Sequence, residues 1–444
     1  MPTQQTAPVP GITGSLADGS VVDVELSADA DGVHRVRAVT PFSPDVPHPA
    51  DWLDLRDHLL LPPAAEPHAH LDKALSWPEL SPPSGDLDAA IASWRAGSVS
   101  LDEQSFRTRA LRATSSMLRN GITAVRTHAD VLSHDDPLRA VRVLTEVREH
   151  LRGLMDIQVA VLASPLTPTA HIEAALDAGV DLVGGAPHIA DDPLAELTRL
   201  LDLAEARGIG ADLHVDEFLD GDHLTIEAFA ARVAEWPDDR IRTAGHCCRL
   251  DTLSSEDLQR VARALARARV SVVALPVTNL YLQGRSGPSA GRRGITPIDV
   301  LRDHGVRVAG GADNIRDPFN PVGRADPLET AALLITAAHQ NPHTATELVT
   351  SEARAVLGLE PAGPVVGARA DLVAIRGADL TEVIATAPAD RVVIVNGTAV
   401  ARTESTTWTA FPSFPVPSPA GASPAGMSSA AASPLGLSPV GMER

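Results

Sequence analysis

The chain has 444 residues, of which 44% are hydrophobic, and its formal net charge is −20 at pH 7. This length and apolar content allow a large buried core, whereas the negative charge argues against nucleic acids and anionic membranes, which bind basic surfaces. No apolar stretch approaches the roughly 18 residues of a membrane span, and no signal peptide is visible at the N-terminus. Because the two cysteines, Cys247 and Cys248, are adjacent and form no disulfide framework, we expect a cytoplasmic protein.

Short strands are predicted near both ends of the chain. They are Val21–Leu26, Val33–Val39, Asp371–Ile375 and Arg391–Gly397. The dipeptide Asn396-Gly397 is typical of a two-residue hairpin turn. We therefore expect residues 1–61 and 362–405 to build one small β domain.

Between these end segments, strand-like runs alternate with amphipathic helical patterns. The predicted strands are Leu59–Pro62, Thr123–Thr127, Asp156–Leu162, Leu182–Gly184, Gly210–His214, Ile241–Ala244, Val270–Leu275 and Val306–Ala309. The predicted helices include Phe106–Arg119, Pro193–Arg207 and Ser255–Ala268. Eight strand–helix units indicate an α/β protein with a (β/α)8 TIM-type barrel, which we place at residues 62–361. A doubly wound parallel sheet would show the same periodicity.

The last part of the chain, residues 406–444, is dominated by proline, serine, alanine and glycine. Such a composition cannot bury enough apolar surface to offset the entropy of ordering the chain. We predict a disordered tail.

Histidine and acidic residues follow five of the eight predicted strands. They are His68 and His70 after the first strand, His128 and Asp130 after the second, His214 and Glu217 after the fifth, His246 after the sixth, and Asp313 with Asn314 after the eighth. In a barrel the C-terminal strand ends converge on one face, and residues two apart on a strand, such as His68 and His70, point the same way. Imidazole and carboxylate ligands from separate strands suit a divalent ion that keeps one position open for water.

Each of these residues also has an ordinary structural explanation. His214 and His246 could be core histidines, Asp313 could cap the helix that follows, and Glu217 could be a solvated loop acid. If all of these explanations held, metal-ligand residue types would follow five of the eight strands by coincidence. The pattern therefore favours a metal site.

Lys73 is the single lysine of the chain and stands three residues after His70, whereas every other basic residue is arginine. An ammonium group is a compact charge whose pKa the surroundings can tune, unlike a guanidinium. Lys73 could therefore bind an anionic or carbonyl group of a substrate, or form an ion pair with Asp72. The sequence leaves both interpretations open.

Several segments resemble the amidohydrolase superfamily, in particular its cytosine deaminase-like branch. The resemblance covers residues 55–400 and rests on Glu66–Asp72, Arg126–Asp130, Val183–His188, His214–Glu217, Leu282–Arg285, Arg293–Thr296 and Asp313–Phe319. Two of these regions, His70–Lys73 and Asp313–Phe319, are more similar to the N-isopropylammelide hydrolases of triazine breakdown. The resemblance implies a barrel with a small β domain.

At matching positions the resemblance implies four ligands of one divalent metal ion, Zn²⁺ or Fe²⁺, namely His68, His70, His214 and Asp313. It implies three catalytic residues, namely Glu217 as proton shuttle, His246 as the residue that orients or polarises the attacked group, and Asp313. Binuclear relatives carry a bridging carbamylated lysine on strand four. Residues 182–185 contain no lysine, so one metal ion is expected.

Two positions depart from the cytosine deaminases. Strand three leads into Ser164, where those enzymes place a glutamine that holds the pyrimidine edge, and Asn314 replaces an acid that often follows the metal-binding aspartate. With Lys73, these residues are the predicted substrate-binding set. The changes affect groups that recognise the substrate and leave unchanged those that break the bond.

We therefore expect a metal-dependent aminohydrolase that deaminates an aminated pyrimidine, triazine or related cyclic amidine with a metal-activated water and releases ammonia or an amine. A cyclic amide or imide hydrolase of the same superfamily, or a metal-binding barrel without catalysis, are the alternatives. The expected partner is a small heterocyclic substrate, with neither nucleic acid nor membrane, and the sequence is compatible with a homo-oligomer.

Overall fold

The structure, a computed structural model, describes residues 7–83, 85–132, 135–221, 223–285, 291–406 and 408. The predicted tail at residues 406–444 lies outside the described residues except for Thr406 and Trp408. Described residues up to Ser405 form one compact unit. No helix in these ranges is both long enough and apolar enough to cross a bilayer.

The described part of the chain contains the following strands and helices. The strands are β1 Gly11–Ser15, β2 Val21–Ala28, β3 His34–Pro41, β4 Leu53–Leu61, β5 Ala64–Ala69, β6 Ile122–Asp130, β7 Asp156–Leu162, β8 Val183–Gly185, β9 Ala211–Val215, β10 Arg242–His246, β11 Ser271–Ala274, β12 Val308–Gly310, β13 Leu372–Arg376, β14 Arg391–Val395 and β15 Thr398–Thr403. The α-helices are α1 Trp77–Leu80, α2 Leu87–Gly97, α3 Glu103–Arg119, α4 Arg139–His150, α5 Thr169–Asp177, α6 Pro193–Arg207, α7 Thr225–Val233, α8 Ser255–Ala268, α9 Pro276–Leu282, α10 Ile298–Asp303, α11 Pro327–Ala338, α12 Pro342–Val349, α13 Ser351–Val356 and α14 Leu380–Thr386. Short 3-10 helices lie at Ser98–Ser100, Pro187–Ile189 and Cys248–Thr252.

Strands from both ends of the chain share one seven-stranded sheet, in the order β15-β14-β13-β4-β1-β2-β3. The predicted hairpin is confirmed: β14 and β15 pair antiparallel, with Val395 opposite Thr398. The two turn residues, Asn396 and Gly397, have φ values of 48° and 74°, as a turn with two left-handed residues requires.

The other eight strands are parallel to their neighbours and run in sequential order. One sheet has the order β5-β6-β7 and the other β12-β11-β10-β9-β8. Bridges between Ala160 and Leu182 and between Ala163 and Gly185 join β7 to β8, and a bridge between Ala69 and Asp313 joins the end of β5 to the segment after β12. A doubly wound sheet would reverse its strand order at a switch point, and no such reversal occurs among these described strands.

The predicted position of the first parallel strand is wrong. Leu59, Leu60 and Leu61 belong to β4 of the seven-stranded sheet, and the series of eight parallel strands begins with β5, Ala64–Ala69. The apolar run arises because β4 is buried on both faces: Leu59 and Leu61 pack in the main core, and Leu60 packs in the core of the seven-stranded sheet. Pro62 and Pro63 separate the two strands, since proline offers no N–H to a sheet.

The predicted helices are confirmed, two of them with the predicted bounds. Before α6, the Asp192 carboxylate accepts a hydrogen bond from the backbone N–H of Ala195, and Gly208 ends the helix at φ 66°. In α8, Ser254 caps the N-terminus in the same way. Helix α3 begins at Glu103, three residues before the prediction, because Asp102 caps it.

Candidate metal centre and active site

Three histidines and one aspartate meet at the C-terminal ends of the parallel strands. His68 lies in β5 and His214 in β9, and their Nε2 atoms are 3.1 Å apart. The Nε2 atom of His70 lies 3.2 Å from Nε2 of His214 and 3.1 Å from Oδ1 of Asp313. The four residues that the sequence predicts as metal ligands therefore converge on one point.

The electrostatics of this cluster suit a cation. Burial, followed by the charges of neighbouring side chains, lowers the pKa of His68, His70 and His214 well below the usual value, so the imidazoles are neutral. Burial also raises the pKa of Asp313 well above its usual value. Several neutral imidazole nitrogens and a carboxylate oxygen at this spacing form a donor set that fits a divalent ion such as Zn²⁺ or Fe²⁺.

Glu66 holds the two sides of the cluster together. Its carboxyl group accepts a hydrogen bond from the backbone N–H of His68 at 3.2 Å and another from that of Ala312 at 2.9 Å. Burial raises the pKa of Glu66 to about 8. Gly245 permits the close packing, because a Cβ atom there would lie 2.8 Å from the ring of His68.

Glu217 and His246 lie beside the four predicted ligands. The Oε1 atom of Glu217 is 3.4 Å from Nδ1 of His246, and burial raises the pKa of this carboxyl group to about 8. Burial lowers the pKa of His246 to about 3. The Nε2 atom of His246 lies 3.8 Å from Oδ2 of Asp313, so this ring reaches from Glu217 towards the cluster.

Asn279 orients His246, and sequence reasoning missed it. Its side-chain N–H donates to the carbonyl of Gly294 at 3.1 Å, which leaves Oδ1 to accept from Nδ1–H of His246 at 3.0 Å. In this tautomer Nε2 of His246 is an acceptor. The Arg293–Thr296 motif could have pointed to Asn279, because it contains Gly294, whose carbonyl accepts the hydrogen bond from Asn279.

Lys73 forms the ion pair that the sequence left open, and it has two partners. Its Nζ atom lies 3.1 Å from Oδ2 of Asp72 and 3.1 Å from Oδ2 of Asp130. It also lies 5.1 Å from the ring centroid of Trp94, whose indole N–H donates to Asp130. Lys73 also lines the cavity above the histidine cluster, so substrate binding and ion pairing are both compatible with its position.

A cavity opens above the cluster, and all three predicted substrate-binding residues line it. Ser164 is engaged in a local turn, with its backbone N–H donating to the hydroxyl of Thr167 at 3.0 Å. The side-chain N–H of Asn314 donates to Asp317 at 2.9 Å, and its Oδ1 accepts from Thr278 at 3.1 Å.

One wall of this cavity comes from α2, which was not predicted. Its contributing residues are Leu87, Ile91, Trp94 and Arg95. They follow the helical spacing that places side chains on one face, but the sequence alone does not say what that face covers.

A buried polar layer lies beneath the histidine cluster. Arg126 donates from Nη1 to Oδ2 of Asp212 at 2.6 Å, and neither side chain is exposed. The other carboxylate oxygen of Asp212 lies 3.5 Å from Nε2 of His128 and 3.8 Å from Nδ1 of His68. Although burial opposes ionisation, Arg126 and His128 lower the pKa of Asp212, so it carries a negative charge. The sequence did not point to Asp212, because its carboxylate contacts side chains of other strands within the buried layer.

Residues 87–401 match the model of the amidohydrolase family. This match covers well over half of the chain. The chain belongs to the amidohydrolase family. The family resemblance predicted from the sequence is therefore confirmed, and with it a metal-dependent hydrolase that acts on C–N bonds other than peptide bonds.

Two curated proteins illustrate the relationship. This amidohydrolase is 32% identical over 413 residues to a pterin deaminase of Rhizobium rhizogenes, covering 89% of this chain and 91% of the relative. It is 26% identical over 341 residues to an N-isopropylammelide isopropyl amidohydrolase of a Pseudomonas species, covering 73% and 81% of the two chains.

Solved structures agree with this assignment. The 5-methylcytosine deaminase of Klebsiella pneumoniae, solved with 5-fluorocytosine, superposes with a TM-score of 0.81 at 25% identity, covering 90% of this chain and 99% of that one. The N-isopropylammelide isopropylaminohydrolase of Burkholderia multivorans gives 0.73 at 26% identity, covering 89% and 99%. Such relatives imply an α/β fold that contains a TIM barrel, as predicted.

Proposed function

We propose that this amidohydrolase deaminates an aminated N-heterocycle and that pterins are the first class of substrate to test. The buried cluster of His68, His70, His214 and Asp313 beneath this cavity carries the proposal, because it would hold a metal ion where a flat ring can enter. The match to a pterin deaminase, which covers 91% of that protein, favours a substrate with a fused ring rather than a single ring.

We place this site in a closed (β/α)8 barrel at residues 62–361. The sequential parallel order of β5 to β12 and the bridges at both sheet edges support closure. Residues 1–61 and 362–405 then form the small β domain, which the shared seven-stranded sheet supports.

One divalent ion, Zn²⁺ or Fe²⁺, is held by His68, His70, His214 and Asp313. When bound, such an ion lowers the pKa of a water molecule towards neutrality. The absence of a lysine at residues 182–185 supports one ion. Elemental analysis should give one tightly bound ion per chain, and two would contradict this assignment.

Glu217 is the group that moves protons. Its carboxylate takes a proton from the attacking water and delivers it to a ring nitrogen, while the water oxygen bonds to the carbon that bears the amino group. The proton of the new hydroxyl group then passes through Glu217 to the amino group, the C–N bond breaks, ammonia leaves, and a ring carbonyl remains, so one water is consumed for each ammonia. A pKa raised to about 8 by burial makes Glu217 a stronger base than an exposed glutamate.

His246 orients the reacting groups. With Nδ1–H donated to Asn279, its Nε2 can accept a hydrogen bond from water or from a substrate N–H. Donation to a developing oxyanion would require a protonated ring, which burial opposes. The structure therefore supports orientation over charge stabilisation.

Asp212 supports the metal ligand His68 from behind. When Nε2 of His68 binds the ion, its Nδ1 carries the proton and faces the free oxygen of Asp212. Arg126 fixes this carboxylate in place.

Ammonia release from a substrate panel tests the proposal. Metal-loaded enzyme is incubated with pterin, 5-methylcytosine, cytosine, isocytosine and an aminotriazine, beside cyclic imides whose hydrolysis opens the ring. We expect ammonia from pterin, with cytosine a poor substrate. Ring opening without ammonia would favour the cyclic-imide hydrolase, and no turnover in metal-loaded protein would favour a non-catalytic barrel.

A further inference from the structure

A groove between α3 and residues 315–325 has an unusual charge for this chain. Four arginines line it, Arg112 and Arg119 from α3 and Arg316 and Arg324 from the opposite side, together with Ser115 and Ser116. No Asp or Glu in the described ranges lines it, although the chain has 57 acidic and 37 basic residues. We call this feature the arginine groove.

Two of the four guanidinium groups have no partner among the described residues. Arg324 pairs with Glu329 at 3.1 Å, and Arg119 donates to the hydroxyl of Ser116 at 3.3 Å. The side chains of Arg112 and Arg316 make neither an ion pair nor a hydrogen bond with any residue that the structure describes. Elsewhere on the same helix, Arg107 pairs with Glu146. The groove therefore carries two positive charges, on Arg112 and Arg316, that no carboxylate of a described residue pairs with.

The backbone holds the groove in a defined shape. Leu75, Arg316 and Ala325 all line it with φ values of 61°, 49° and 56°, a region that L-residues rarely adopt. Hydrogen bonds fix this arrangement: the N–H of Leu75 donates to the carbonyl of Ile315 at 2.7 Å, and that of Trp77 to Arg316 at 2.9 Å. Arg316 is thus presented from a rigid segment.

We infer that the arginine groove binds a small organic oxyanion, with its phosphate or carboxylate between Arg112 and Arg316. Guanidinium groups match the geometry of both oxyanions and form strong charge-assisted hydrogen bonds with them. Leu111, Ile315 and Val322 also line the groove and offer apolar surface to the body of the ligand. The negative end of the α3 dipole does not oppose binding at Arg112, because that effect is confined to the last turn and Arg112 lies seven residues before Arg119.

Calorimetric titration of metal-loaded, full-length protein tests this inference at fixed low ionic strength. Phenyl phosphate and benzoate separate the two oxyanion sources, phenol lacks the charge, and inorganic phosphate lacks the apolar body. The variants are Arg112→Gln and Arg316→Gln. Arg263→Gln is the matched control, because Arg263 is an exposed arginine on α8 outside the groove.

We expect saturable binding of phenyl phosphate, of benzoate or of both, and none of phenol. Each groove variant should raise the Kd about tenfold or more, the usual effect of losing a charge-assisted contact, while Arg263→Gln leaves it unchanged. Both substituted side chains are exposed, so folding should be kept, which circular dichroism checks.

Four results would overturn the inference. They are no saturable binding of either oxyanion, unchanged binding in both groove variants, equal loss in Arg263→Gln, and equally tight binding of inorganic phosphate and phenyl phosphate. Sedimentation adds one more test: if Arg112→Gln instead dissociates an oligomer, the groove is a contact between copies of the chain and not a ligand site.

Discussion

Replacing Asp212 by asparagine distinguishes two of its contacts, the one with Arg126 and the one with His68. The substitution keeps the shape of the side chain and removes its charge. Arg126 and Asp212 are both fully buried at 2.6 Å, whereas the other oxygen of Asp212 faces Nδ1 of His68 at 3.8 Å. We therefore expect two effects of different size on two different measurements.

The first effect is on stability. Leaving one member of a buried ion pair without its partner usually lowers the free energy of unfolding by about 3–5 kcal/mol. Arg126 keeps hydrogen bonds to Gln158, Thr243 and the carbonyl of Val356, so we expect a loss near the lower end, about 3 kcal/mol. The measurement is urea unfolding of the metal-free protein at pH 7.

The second effect is on metal binding. Loss of a residue that supports a ligand histidine typically lowers metal affinity about 10–100-fold. Competition with a chromophoric chelator measures this affinity in the folded variant. The double variant Arg126→Met with Asp212→Asn removes the unpaired charge, so it should regain stability and still bind metal weakly.

Gln158→Leu is the matched control. Gln158 accepts hydrogen bonds from Arg126 at 2.8 and 3.0 Å, so its loss should lower stability by about 1 kcal/mol without changing metal affinity. Wild-type metal affinity in folded Asp212→Asn would refute the reasoning and leave Asp212 as a structural partner of Arg126 only.

Three further predictions concern the cavity. Glu217→Gln should keep the metal, by elemental analysis, and lose turnover about 10²–10⁴-fold; normal ammonia release would exclude Glu217 as the shuttle. Ser164→Gln should raise kcat/KM for cytosine relative to the best substrate, because an amide can make a two-point contact with a ring edge; an unchanged ratio would remove that argument. Burial lowers the pKa of His188 from 6.5 to about 4, so the unfolded chain binds the proton first as pH falls. Folded stability should therefore drop between pH 6.5 and 4, by up to about 3 kcal/mol. Denaturant unfolding of metal-free His188→Asn should show a shallower pH dependence, and an equal slope would contradict this.

Local patterns predicted much of the fold. Capping residues at the helix ends set the bounds of α6 and α8, and Asn396-Gly397 predicted the hairpin. These signals are local, because each acts within a few residues. The apolar run before His68 misled the prediction, since a strand buried on both faces has the same pattern wherever it lies. Its place in the seven-stranded sheet depends on pairing with β13, more than 300 residues away.

The sequence by itself indicated the chemistry of the candidate site, because His-x-His and the His and Asp residues after later strands are the groups that such chemistry needs. Only the tertiary structure decided what surrounds them. Asn279 beside His246, Asp212 behind His68 and the α2 wall of the cavity depend on contacts between distant elements. The same is true of the charge states: Glu217 has a pKa of about 8 because the folded chain removes water from it, and burial is a property of packing that no local run of residues specifies.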